Sequence, residues 1–285
     1  MIRARVLSAL ALVMLAVVFL GAWQWPVNPE RIAKGFGLAG SAGTMLRGVE
    51  FTGEGADVVA ASDGTVIFRD SGMRDAHTPS RAGGMVILDH DNGWRTIYSG
   101  LNSDGLAAGE RVLAGRSIGT SASGGARFEI YDRRAGFYVN PLVLLPLRNV
   151  GAEAQIAGIR LVSLDDADYE SRVPSYNRVS HRAGETEVRV QVGGQAAATA
   201  VALTRGGVTF GELLLERIEP GKPDQMVWGE SRRRGEELYD GNGWLRLATV
   251  TVPENGSISF TARVKNARGE ETTRVFTIEG LPRGE

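Results

Sequence analysis

A chain of 285 residues has room for one or two domains, and its 32 Lys and Arg against 33 Asp and Glu leave a formal charge of −1, without the basic excess of a nucleic-acid binder. Its 43% hydrophobic and 23% charged residues are those of a folded globular chain, and 38 glycines against 10 prolines point to tight turns and β structure. Cysteine is absent, which excludes disulfides, thiolate metal sites, a thiol nucleophile and a lipidated cysteine, and only His77, His90 and His181 are available for metal or general-base chemistry.

Arg3 and Arg5 precede an apolar run over residues 6–20, and the small residues Gly21 and Ala22 follow. That is the order of a secretory signal. With Gly21, Ala22 and Trp23 the run reaches a marginal length for a bilayer span, which takes ~20 residues. Trp23 and Trp25 suit a membrane interface if the segment is retained. Residues 1–23 are expected to be a signal peptide or signal-anchor helix, with retention favoured over cleavage after Ala22. The chain beyond is expected outside the cytoplasm, periplasmic or otherwise extracytoplasmic.

Short apolar runs broken by glycine come next, at 58–61, 65–68, 85–88 and 96–98. Asp63-Gly64, Gly83-Gly84 and Asn92-Gly93 between them are hairpin-type turn signals. The pattern weakens over 149–184, where Asp165, Asp166 and Asp168 form an acidic patch and Pro174 and Gly184 interrupt the chain. Strands resume at 188–192, 199–203, 213–218, 245–252, 257–264 and 273–278. In the fifth of these Ile258, Phe260, Ala262 and Val264 alternate with polar residues, the mark of a half-buried strand. The expected fold is mainly β: an antiparallel β domain over 24–148, a connecting arm over 149–184, and an immunoglobulin- or fibronectin-like sandwich over 185–285.

The first β part carries an ordered series of motifs: Phe36-Gly37; Arg47-Gly48-Val49-Glu50-Phe51; the segment 58–66; Gly84-Met85-Val86-Ile87-Leu88-Asp89-His90; Thr96-Ile97-Tyr98-Ser99-Gly100-Leu101; the segment 109–119; Arg127-Phe128-Glu129-Ile130; and Val139-Asn140-Pro141-Leu142. In this order it resembles the lysostaphin/LytM-type zinc metallopeptidase domain, whose active members cut peptide bonds in bacterial peptidoglycan. The resemblance implies a metal-ligating His and Asp flanking the Gly matched by Gly48, where this chain has Leu46 and Glu50. It implies catalytic histidines where Gly100 and Gly125 stand, and a third ligand where Arg127 stands. The loop over 120–124 is about half the family's usual length.

A catalytic zinc wants about three N or O ligands and an open position for water. Leu46 offers no donor atom, and a guanidinium at Arg127 puts a fixed positive charge where the cation should sit. No matched His remains to move a proton. The family geometry implies that Arg127 instead pairs with Glu50. The expectation is a non-catalytic envelope protein without metal or cofactor. Its degenerate groove (Leu46, Arg47, Glu50, Tyr98, Gly100, Gly125 and Arg127) would bind an envelope protein, such as a cell-wall hydrolase, or peptidoglycan, and so regulate wall remodelling or scaffold an envelope complex. The alternatives are an atypical metallo-endopeptidase with ligands rebuilt from Glu50, Asp57 or Asp63 and a stray His, or a passive envelope spacer. His90 reads as a turn or surface residue, and His77 and His181 as solvent-exposed. Gly124-Gly125 reads as a shortened turn and Arg232, Arg233 and Arg234 as a solvated loop. Among Trp228, Tyr239 and Trp244, packing in the sandwich core is the expected use of at least one Trp.

Overall fold

The computed structural model describes residues 23–38, 45–71, 83–103, 105–148, 150, 154–193, 198–221, 224–228, 231–240 and 242–282. The export segment over residues 1–22 and His77 lie outside the described residues.

Among the described residues the N-terminal half forms a 3-10 turn (Pro29–Arg31), ten strands and one α-helical turn: β1 (Ile32–Lys34), β2 (Gly48–Phe51), β3 (Asp57–Val59), β4 (Gly64–Asp70), β5 (Gly84–Asp89), β6 (Trp94–Asn102), β7 (Arg111–Val112), β8 (Ser117–Ser121), β9 (Ala126–Asp132), β10 (Phe137–Val139) and α1 (Pro141–Leu144). The alternation of β5 shows why: Val86 and Leu88 are buried while Met85, Ile87 and Asp89 face the other way. The inner faces meet in a core of Val49, Phe51, Val66, Val86, Leu88, Tyr98, Phe128 and Ile130. Strands β6 and β9 are its centre, paired antiparallel from Trp94↔Asp132 to Ser99↔Arg127.

The C-terminal half contributes β11 (Gln155–Ser163), β12 (Glu170–Arg172), β13 (Arg178–Arg182), β14 (Gly184–Gly193), β15 (Ala198–Arg205), β16 (Val208–Leu214), β17 (Arg217–Glu219), β18 (Gln225–Trp228), β19 (Ser231–Arg234), α2 (Gly235–Leu238), β20 (Leu245–Val252), β21 (Ser257–Asn266) and β22 (Glu271–Leu281). A four-stranded sheet in the order β12-β11-β14-β20 and a five-stranded sheet in the order β13-β22-β21-β15-β16 share one core that includes Leu161, Val188, Leu203, Leu247, Phe260 and Phe276.

Three sequence readings need correction. The stretch 149–184 is not a connecting arm: β11 pairs with both β12 and β14, and β13 pairs parallel with β22, so its strands belong to the two C-terminal sheets. The run expected over 213–218 splits between β16, on the five-stranded sheet, and β17, which pairs with β10 of the N-terminal sheet. Arg232, Arg233 and Arg234 are not a solvated loop but lie in β19, paired with β18. Strands β17, β18 and β19 thus extend the N-terminal sheet to thirteen strands. Phe36 and Met45 pack into the C-terminal core. The halves are further tied by Asn140, whose side-chain amide donates to the Leu215 carbonyl at 2.7 Å, and by Tyr239, whose hydroxyl donates to the Gly37 carbonyl at 2.9 Å. Among the described residues no helix is long and apolar enough to cross a membrane.

Candidate functional site

The outer face of the large sheet carries a row of six residues, one from each of six neighbouring strands: Asp70 of β4, Met85 of β5, Ser99 of β6, Arg127 of β9, Glu50 of β2 and Lys34 of β1. Register places them side by side: Met85, Ser99, Arg127 and Glu50 alternate with their strands' core residues, and register shifts in β1 and β4 bring Lys34 and Asp70 into the same row. Above the first five lies a groove of about 430 Å³, whose remaining lining is Gly83, Gly84, Gly100, Gly124, Gly125 and Ala126. Its walls are therefore largely main chain.

The paired charges Arg127 and Glu50 stand at one end of it, and Asp70 stands at the other. An Arg127 Nη2 donates to Glu50 Oε1 at 2.5 Å, and Lys34 Nζ lies 3.0 Å from Glu50 Oε2. Partial burial pushes the Glu50 carboxyl upward, but its two cationic partners win and hold it below the usual carboxylate range. On β9, two residues beyond Arg127, burial pushes Glu129 above the usual range against the opposing fields of Arg127 and Arg47.

Gly100 and Gly125 have positive φ, +73° and +81°. A Cβ on Gly100 would stand 2.3 Å from the Gly125 carbonyl oxygen, and one on Gly125 would stand 2.1 Å from the Phe51 carbonyl oxygen. The main chain has closed over the two positions where the resemblance calls for histidine. These residues do not fit a zinc ion. The sole donor among the matched positions is Glu50, which is already engaged by two cations, while Gly100 and Gly125 have no room for a side chain.

Of the residues expected in the groove, Glu50, Gly100, Gly125 and Arg127 line it, and three others do not. Tyr98 is fully buried on the inner face of β6 against Phe128, and its hydroxyl accepts from the Ala61 N–H at 2.8 Å. Burial pushes that phenol up to about 12. Arg47 turns away to make a two-pronged ion pair with Asp224, at 2.7 and 2.9 Å, and stacks over Tyr138 at 5.0 Å. That hydrogen bond with Asp224 raises its pKa further. Leu46 is buried, its backbone exchanging hydrogen bonds with Gly37 and Leu38. Sequence reasoning missed Lys34, Asp70, Met85 and Ser99. The period-two alternation about Val86 and Tyr98 could have found Met85 and Ser99, whereas nothing local marks Lys34.

The rebuilt-ligand alternative finds no support in the placement of its residues. Asp57 accepts from the Ser117 hydroxyl and Asp63 from the Ala114 N–H, and neither lines the groove. His90 is buried rather than a surface residue. It donates from Nδ1 to the Asp63 carbonyl and accepts at Nε2 from the Thr96 hydroxyl, so both ring nitrogens are engaged. His181, expected to be exposed, is fully buried with Nδ1 3.0 Å from Ser171 Oγ. Among the described residues no cluster of three His, Asp or Glu could hold a metal. Trp244 packs in the C-terminal half beneath the Arg160 guanidinium, 4.4 Å from its ring centre.

The profile of Peptidase family M23 matches residues 44–141, so the chain contains an M23-type domain there. The Lipoprotein NlpD/LppB homolog of Pseudomonas aeruginosa is 33% identical over 135 residues, covering 45% of this chain and 41% of that protein. The match thus spans about two fifths of the relative's length. Two solved structures align over similar portions. The SpoIIQ-SpoIIIAH pore forming complex matches at 21% identity and TM-score 0.36, covering 44% of this chain and 92% of that chain. The catalytic domain of the antimicrobial peptidase lysostaphin from Staphylococcus simulans matches at 26% and TM-score 0.30, covering 35% and 79%.

Proposed function

We infer that this is a non-catalytic protein of the cell envelope whose degenerate LytM-like domain recognises a protein partner, or peptidoglycan, in the groove over Arg127, and thereby regulates wall remodelling or scaffolds an envelope complex. The observation that carries this reading is the replacement of a ligand set by an ion-pair cluster and closed main chain. Arg127, Glu50 and Lys34 occupy one end of the groove, and Gly100 and Gly125 cannot carry a side chain. What remains suits recognition: a cleft rimmed by main-chain groups, a partly exposed guanidinium at one end and Met85 on the floor. The apolar run over residues 6–20 supports an extracytoplasmic place of action.

Three measurements test the reading together. Metal analysis of protein purified without chelators should find less than one tenth of an equivalent of zinc. Incubation with purified peptidoglycan should release no muropeptides. Cross-linking in the envelope, from a photoreactive residue replacing Ser99, should yield a discrete adduct that Arg127→Ala removes. Stoichiometric zinc with released peptides would sink the reading, as would an adduct pattern indifferent to Arg127.

A further inference from the structure

The first described residues are folded into the domain. Trp23 packs on His90 and Trp94, with ring centres at 5.2 and 6.3 Å. Gln24 donates twice into the chain, to the Ala61 and Ala60 carbonyls. Trp25 Nε1 donates to the Pro146 carbonyl at 2.7 Å. Only Gly21 and Ala22 separate Trp23 from the end of the apolar run at Leu20. Three Cα–Cα steps reach at most about 11 Å. If the run lies in the hydrocarbon of a bilayer, Trp23 is held no more than about 11 Å beyond it, in or just above a headgroup layer roughly 5–8 Å deep on each side.

The surface around that tether has the matching chemistry. The turn holding Leu113 abuts Gln24, since a Cβ on Gly115 would stand 3.1 Å from the Gln24 side chain, and Leu113 is 62% exposed. On the other flank α1 leads to Pro146, and its Val143 is 53% exposed. Arg134 lies over the Trp94 ring and 3.5 Å from Asp132 yet leaves most of its surface in water, while Arg148 is exposed and has no ion-pair partner among the described residues. Tryptophan and aliphatic side chains with arginines about them are what a membrane interface with anionic headgroups selects.

We propose that the pole of the domain around Trp23, with Leu113 and Val143 as its apolar contacts and Arg134 and Arg148 as its headgroup contacts, rests on the outer leaflet of the membrane that holds an uncleaved N-terminal segment. Two residues are all that separate the folded pole from the apolar run. The groove residue Ser99 lies five positions further along β6 than Trp94, about 17 Å at the rise of a strand, so the tether holds the groove at a fixed height above the lipid. This goes beyond the proposed function, which requires only that the groove be outside the cytoplasm.

The natural absence of cysteine permits a clean test. The full chain carrying a single spin label at Leu113→Cys, Val143→Cys or, as control, Val208→Cys is reconstituted into vesicles of phosphatidylethanolamine and phosphatidylglycerol. Val208 is exposed and adjoins the turn at the far end of the sheet from Arg268, which bonds the Leu147 and Val150 carbonyls near the pole. Labels at 113 and 143 should collide with dissolved oxygen several-fold more, relative to a water-soluble nickel chelate, than the label at 208. Equal collision ratios at all three positions overturn the proposal. So does N-terminal sequencing of protein from the native envelope that begins at Trp23. Neither result bears on whether the groove binds a partner, which the cross-linking at Ser99 reads separately.

Discussion

Replacing Gly125 by alanine should destabilise the protein nearly as much as replacing it by histidine. The obstacle sits at the β-carbon, which the two side chains share. An L residue held at the φ of +81° costs about 1–2 kcal/mol for the left-handed conformation. A Cβ 2.1 Å from the Phe51 carbonyl oxygen forces a main-chain shift of the kind that costs about 1–3 kcal/mol in packed regions. The shift cannot be local, because Phe51 pairs with Ala126 at the end of the β2–β9 ladder. The sum is roughly 2–5 kcal/mol, or a fall in melting temperature on the order of 5–15 °C for a protein of this size. Gly100→Ala should behave alike, its Cβ meeting the Gly125 carbonyl oxygen at 2.3 Å. Thermal and urea denaturation of Gly125→Ala, Gly125→His and Gly100→Ala gives the answer. If Gly125→Ala melts with the wild type and only Gly125→His is destabilised, the main chain is not closed. The groove would then have lost its histidines by side-chain replacement alone.

Arg127→Ala should change stability by no more than about 1 kcal/mol, since the exposed pair is water-screened and Lys34 still neutralises Glu50. A larger loss in urea unfolding would mean that the pair holds β2 to β9. Arg47→Ala should cost roughly 2 kcal/mol or more, somewhat below the ~3–5 of a fully enclosed pair, because it strands the buried Asp224 carboxylate while Arg47 itself keeps water contact. Adding Asp224→Asn should recover part of that loss, and a double variant no better than the single refutes the assignment. Burial lowers the His181 pKa from 6.5 to about 4. As pH falls, the unfolded chain therefore takes up the proton first. The stability from keeping this ring neutral is full above pH 6.5 and drains between 6.5 and 4, at up to about 1.4 kcal/mol per pH unit. His181→Gln should flatten that slope in denaturation curves measured at pH 7, 6 and 5, and an unchanged slope would show that the ring is not buried neutral. A fragment of residues 185–285 should lack cooperative unfolding, because it omits β11, the partner of both β12 and β14; a sharp calorimetric transition would restore an independent sandwich.

Local patterns made much of this molecule legible. Strands at 245–252 and 257–264 are legible from the residues alone, the second because Ile258, Phe260, Ala262 and Val264 recur with period two, and in the structure it runs on to Asn266. Legible too is the order of motifs in the first β part, and so is the lack of histidine at Leu46, Gly100, Gly125 and Arg127, where the resemblance calls for ligands and catalytic residues, since identity needs no coordinates. Tertiary structure decided what depends on partners far along the chain. Strand β11 is buried at all five residues from Ile159 to Ser163, so it shows no alternation from which a strand could be read. The three residues of β17 are too few to carry a period, and pairing with β10 makes them part of the other half's sheet. Arg47 and Arg127 look alike as sequence, yet one meets Asp224, 177 residues away, while the other meets Glu50 across a strand pair. Tyr98 reads equally well as a groove aromatic or a core one until the β6–β9 register sets which face it joins. Gly100 and Gly125, as letters, only permit a positive φ. The approach of the Gly125 and Phe51 carbonyls, a contact between strands, is what makes glycine the residue that fits.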